Sequence, residues 1–95
     1  MISRRFSKRD ANHAVIVRAL RSAGRHVVEL FALGGSHPDI VVVWPGGIVF
    51  MEIKAPGGKL TPGQVQYHGG WRGPAGSLVV VRDEHEALTA AGVIH

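Results

Sequence analysis

Pro38-Asp39-Ile40-Val41-Val42-Val43-Trp44-Pro45-Gly46-Gly47-Ile48-Val49-Phe50-Met51-Glu52-Ile53-Lys54 is the stretch on which the fold of this chain turns. Asp39 opens a β-branched run that ends at Trp44, and Pro45-Gly46-Gly47 has the composition of a turn. The run from Ile48 to Lys54 then returns as an antiparallel partner. The start of the first strand lies beside the end of the second, so Asp39 comes next to Glu52 and Lys54. Side chains alternate along a strand. Ile48, Phe50, Glu52 and Lys54 therefore share one face, and Val49, Met51 and Ile53 share the other.

Working outward, the segment before the hairpin reads as a helix and a strand. Asp10 is a candidate N-cap and Gly24 a candidate stop for a helix whose Ile16, Val17, Leu20 and Ala23 form one apolar face, opposite Arg18 and Arg21. His26-Val27-Val28-Glu29-Leu30-Phe31 follows as a strand, and Leu33-Gly34-Gly35-Ser36-His37-Pro38 is too rich in turn residues to extend it. Beyond the hairpin, Ala55-Pro56-Gly57-Gly58-Lys59-Leu60 is a loop. Thr61-Pro62-Gly63-Gln64 begins a short second helix, with threonine as cap and proline in the first turn, ending near Gly69-Gly70. Ser77-Leu78-Val79-Val80-Val81-Arg82 is apolar enough for a strand buried on both faces. Asp83 caps a last helix that runs to about Ala91, with Glu86 placed for a reciprocal capping bond. The order is αβββαβα: a mixed four-stranded α/β sheet flanked by helices, reached through a crossover helix to the fourth strand.

Ninety-five residues predict a single domain, 1–95, and a chain this short gains stability from a second copy, so a homodimer is expected. Hydrophobic residues make up 45% of the chain, yet no apolar run approaches the roughly 20 residues that span a bilayer. A soluble protein without a membrane partner is expected. The basic N-terminus is followed by no apolar stretch of a secretory signal. The absence of cysteine rules out disulfides and thiolate zinc sites, and fits a cytoplasmic protein, in a host cell if the source is viral. The net charge is +4, and its distribution is more telling than its size. Arg4, Arg5, Lys8 and Arg9 form a basic arm over residues 1–9. Arg18, Arg21 and Arg25 recur at helical spacing. A stripe alone reads first as a solvated helix face; beside a site for phosphate chemistry it reads as a nucleic-acid contact.

Two hard carboxylates and an ammonium on adjacent strands suit a magnesium-dependent phosphodiesterase. Magnesium prefers oxygen ligands and retains water, so Asp39 and Glu52 with a substrate phosphate are enough to hold it, and Lys54 is placed to orient or deprotonate a water. An isolated Glu-x-Lys triplet would read as a surface ion pair, with Asp39 a mere turn residue. Here Glu52 and Lys54 continue the face of Ile48 and Phe50 and emerge beside a glycine-rich loop. Gln64 lies at the spacing from Thr61 that matches a capping box. His37 could contact phosphate, though a solvent-exposed loop histidine is the simpler reading. Tyr67, His68 and Trp71 on the second helix could stack on unpaired bases, or serve as core or dimer contacts.

Pro38-Asp39, Glu52-Ile53-Lys54 and Thr61-Pro62-Gly63-Gln64, in this order of elements, resemble the PD(D/E)xK nuclease superfamily and within it the small VRR-NUC branch. The resemblance runs from about Asp10 to about Glu86. It implies a restriction-endonuclease-like fold and a DNA endonuclease acting on branched or flap structures, similar to Holliday junction resolvases and working as a homodimer. It implies magnesium, with manganese as a substitute, held by Asp39, Glu52 and the carbonyl of Ile53; Lys54 would serve the nucleophilic water and Gln64 would sit at the edge. The basic arm (Arg4, Arg5, Lys8, Arg9), Arg18, Arg21 and Lys59 of the loop after Lys54 would contact DNA. One departure stands out. The branch usually carries a glutamate on the first helix, and Val15 takes the matching place, with Asp10, Asn12 or His13 as possible stand-ins. A DNA-binding module that keeps the fold with weakened catalysis is therefore the alternative. A sequence-specific restriction-type nuclease is disfavoured, because so short a chain has little room for base-reading insertions.

Overall fold

The computed structural model describes residues 8–30 and 36–94. Seven elements follow one another: α1 (Lys8–Ser22), β1 (His26–Glu29), β2 (Ile40–Trp44), β3 (Gly47–Ile53), α2 (Pro62–Gly69), β4 (Leu78–Val81) and α3 (Glu84–Ala90). The order αβββαβα and the mixed sheet are those expected. The sheet order is β1-β2-β3-β4, antiparallel across the first two pairings and parallel between β3 and β4. Parallel neighbours need a crossover, and residues 54–77 with α2 supply it.

Alternation in the hairpin separates two chemistries. Ile40, Val42, Val49, Met51 and Ile53 point to one face, where they are buried against Ile16, Val17 and Leu20 of α1 and Ala87 of α3. Val43, Ile48, Phe50 and Glu52 point to the other. Among the described residues, α2 and the segment after it cover part of that second face, and Val28, Val43 and Ile48 stay exposed. The pairing Trp44↔Gly47 shortens the expected turn to Pro45-Gly46 and makes Gly47 the first residue of β3.

Several boundaries differ from the sequence reading. Asp10 lies within α1, which is already helical at Lys8, so it is not the N-cap. Gly24 does end the helix, in the left-handed region at φ 84°. Arg25 falls outside α1 and leaves the arginine stripe: its guanidinium stands 4.9 Å over the Trp44 ring, and its Nε donates to the Ala91 carbonyl at 2.8 Å. β1 ends at Glu29, although the Leu30 N–H still donates to the Asp39 carbonyl at 2.7 Å. Phe31 and 33–35 lie outside the described residues. β4 is only half-buried over most of its length, because it is an edge strand and its outer face lacks a helix. Asp83 caps α3 by accepting the Glu86 N–H, but Glu86 Oε1 reaches past the cap to the Arg82 N–H. No described helix is long and apolar enough to cross a membrane.

Candidate active site

Asp39 stands one residue before β2 and its backbone extends the ladder, since its N–H donates to the Met51 carbonyl at 3.0 Å. That fixes the side chain beside the end of β3. Asp39 Oδ2 accepts the N–H of Ile53 at 2.7 Å. This bond places Asp39 next to the residue that follows Glu52. Asp39 is 6% exposed, Glu52 0% and Lys54 8%. Acidic and basic side chains are rarely buried without a reason in structure or chemistry. Three of them gather here at the end of one hairpin.

Gln64 forms the capping box and also reaches Glu52. Its Oε1 accepts the Thr61 N–H at 2.9 Å and Thr61 Oγ1 accepts the Gln64 N–H at 3.2 Å, which completes the capping box. The other end of the same amide, Nε2, donates to Glu52 Oε2 at 3.0 Å. One side chain therefore starts α2 and orients a buried carboxylate. The start of α2 also abuts the loop that carries Asp39. A β-carbon on Gly63 would lie 2.5 Å from Ser36 Oγ, so glycine is what permits this approach.

Lys54 ends the hairpin. Its N–H donates to the Val81 carbonyl at 3.0 Å and its carbonyl accepts from Asn12 Nδ2 at 2.9 Å. The same Asn12 nitrogen donates to the Arg82 carbonyl at 2.9 Å. Of the first-helix stand-ins, Asn12 thus reaches the site end of the sheet. His13 turns to Glu29 Oε1 at 2.8 Å, and Val15 is 36% exposed. The side chain of Asp10 is not described.

The basic residues are dispersed. Lys59 is exposed in the loop after Lys54, and Arg18 is exposed on α1. Arg21 Nη2 donates to the Val27 carbonyl at 3.0 Å and lies 3.8 Å from Glu29. Nine residues at 1.5 Å per residue put Arg21 about 14 Å along the helix from Asn12. Glu29, which Arg21 approaches, pairs with Ile40, the residue after Asp39. Arg4 and Arg5 lie outside the described residues, as do the side chains of Lys8 and Arg9. His37 is half-buried in the loop before Pro38. Trp71 falls beyond α2, where it packs edge-on against Phe50 at 5.2 Å and donates to Ser77 Oγ at 3.0 Å, a structural role. Tyr67 stays exposed, with its ring 6.1 Å from that of Trp71.

Sequence reasoning missed Arg82. Its Nη2 donates to the Gly58 carbonyl at 2.8 Å and so holds the loop after Lys54. No local spacing advertises a bond between residues 24 apart. Among the described residues no group of three His, Cys, Asp or Glu side chains could hold a metal. Two carboxylates with a backbone carbonyl nearby nevertheless fit magnesium, which takes one or two protein carboxylates and fills its shell with water and phosphate.

No protein-family model matches the sequence, and no curated protein matches it. Among solved structures, a VRR_NUC domain superposes on 95% of this chain and 100% of its own length, with a TM-score of 0.73 and 22% identity. The chain has the fold of a VRR_NUC domain.

Proposed function

We propose that this chain is a magnesium-dependent endonuclease that hydrolyses phosphodiester bonds in branched DNA, such as a four-way junction or a flap. The observation that carries the proposal is the Asp39 Oδ2 to Ile53 N–H bond of 2.7 Å, which sets the buried Asp39 carboxylate against the backbone between buried Glu52 and buried Lys54 at the end of one hairpin. Asp39, Glu52 and the carbonyl of Ile53 would hold the ion, for which manganese would substitute. Bound there, the ion would offset charge developing on the phosphate and lower the pKa of a bound water. Gln64 keeps Glu52 oriented. Lys54 orients the attacking water or takes its proton. The water oxygen bonds to phosphorus as one P–O ester bond breaks, leaving a phosphate monoester and a free hydroxyl. Lys59, Arg18 and Arg21, with the basic arm, would contact DNA phosphates. Duplex DNA carries a charge about every 1.7 Å of its axis, so basic residues spread along a helix can face several phosphates of one molecule.

Two cuts in a branched substrate need two sites. The exposed apolar side chains on the outer face of the sheet, Val28, Val43 and Ile48, support pairing with a second copy. The alternative, a DNA-binding module with weakened turnover, is favoured by the exposed Val15 at the place where a first-helix glutamate is expected. Labelled four-way junction, flap and linear duplex, incubated with Mg²⁺, Mn²⁺ or EDTA, separate the two. We expect metal-dependent cleavage of branched substrates that falls at least about 10³-fold in Asp39→Asn and Lys54→Ala, a loss in the range of a removed charge-stabilising or proton-transfer group. Tight binding without metal-dependent cleavage by the wild-type protein would favour the module. Unaltered cleavage by both variants would remove the site assignment, and a monomer in sedimentation velocity on junction DNA would remove the pairing.

A further inference from the structure

Asn12 and Arg82 form a brace behind Lys54 that the roles described so far leave unused. Asn12 Nδ2 bridges two carbonyls, those of Lys54 and Arg82, at 2.9 Å each. These are the residues immediately after β3 and β4, so one amide ties the ends of two parallel strands to α1. Arg82 carries the tie onward, since its Nη2 donates to the Gly58 carbonyl at 2.8 Å and its N–H donates to Glu86 Oε1 at 2.7 Å. The loop is itself a closed turn, with the Gly58 N–H on the Ala55 carbonyl at 2.8 Å and Gly57 at φ 81°. A β-carbon on Gly58 would lie 3.5 Å from Lys54 Cβ, which shows how closely the loop folds over the lysine. Lys54 is thus held on its backbone by Val81 and Asn12 and covered by a loop that Arg82 anchors.

The geometry points to Asn12 and Arg82 as positioning residues that set where the Lys54 ammonium stands relative to Asp39 and Glu52. This rests on the nuclease reading, in which Lys54 serves the attacking water. Asparagine suits the task because it donates where two carbonyl oxygens converge. A carboxylate in its place would face those oxygens without a proton to give. The brace places Lys59 as well, because Lys59 follows directly on the carbonyl that Arg82 holds.

Asn12→Asp keeps the shape and removes the donor; Arg82→Met keeps the stem and removes the donor, and Arg82→Lys restores one. Two readouts are taken on the full chain: single-turnover cleavage of a labelled branched DNA, split into kcat and KM, and amide hydrogen exchange of residues 54–60 without metal or DNA. We expect faster exchange in that segment for Asn12→Asp and Arg82→Met, a kcat lowered about 10²-fold, in keeping with a misplacement of about 1 Å at a reacting group, little change in KM, and recovery in Arg82→Lys. Exchange unchanged in both variants overturns the brace. Faster exchange with wild-type kcat overturns the positioning role. If Asn12→Asp fails to fold, Arg82→Met against Arg82→Lys still gives both readouts. A wild-type protein that cleaves nothing with either metal removes the nuclease reading, and the exchange measurement tells that failure apart from failure of the brace.

Discussion

Gln64 shows how much one side chain can carry at the residue scale. Its amide oxygen caps α2 while its nitrogen holds Glu52, so removal and replacement have different effects. Gln64→Ala loses both contacts and should lower stability by about 1 kcal/mol, the usual cost of a lost cap interaction. Gln64→Glu retains an acceptor for the Thr61 N–H but sets a second carboxylate against the buried Glu52, where like charges repel. We expect near-normal helix capping with cleavage lowered at least about tenfold, the equivalent of one lost hydrogen bond to a charged group. Thermal unfolding and cleavage rates measured side by side check this; parallel losses in both variants would count against a distinct role for Nε2. Spacing from Thr61 made the cap legible in sequence. The bond to Glu52 was not, because it depends on the angle at which α2 meets the sheet.

At the scale of elements, the site is assembled from a hairpin, a helix start and the loop ahead of β2. Hairpin register was readable from alternation and turn composition. The contact between Gly63 and Ser36 was not, since neither residue signals the other. Gly63→Ala brings a β-carbon to within 2.5 Å of Ser36 Oγ, a clash that rotation of the serine hydroxyl partly relieves, so the loss should fall at the low end of overpacking costs. Overpacking of this kind costs about 1–3 kcal/mol. Ser36→Ala removes the obstructing oxygen, and the neighbouring Ser36 Cβ, 3.6 Å away, is at ordinary contact distance. The double variant should therefore recover most of the lost stability. A double-mutant cycle in denaturant measures the coupling, and additive losses would show that the two do not touch. α1 illustrates the reverse case. Its buried Ile16, Val17 and Leu20 were evident from periodicity, but the departure of Arg25 to Trp44 depended on a neighbour remote in sequence.

The whole molecule is a sheet with one face sealed by α1 and α3 and the other only partly covered. His68 lies on the partly covered side, with a buried Nε2 that has no hydrogen-bond partner among the described residues. Burial lowers its pKa from the ordinary 6.5, because desolvation disfavours the imidazolium. The unfolded chain then binds the proton more readily than the folded one. This part of the stability is complete above about pH 6.5 and is lost as the pH falls through the folded-state pKa. His68→Gln should flatten the decline of the melting temperature below pH 6.5 relative to the wild type, and an unchanged difference between the two proteins across that range would refute it. The net charge of +4 belongs to the same scale. DNA affinity should fall steeply with salt, and Arg18→Gln should reduce the slope of log K against log salt by about one, the release of one counterion. A flat salt dependence would return the arginines to a solvated face. The sequence by itself determined the hairpin, the element order and the proximity of Asp39 to Glu52, because strand period and turn chemistry are local and a hairpin brings together residues close along the chain. Only the tertiary structure decided that Gln64 holds Glu52, that Asn12 and Arg82 brace Lys54, and that Arg25 leaves the arginine stripe for Trp44. Those contacts join residues 12 to 70 positions apart, or depend on how a helix lies on the sheet, and neither is encoded in any short stretch of sequence.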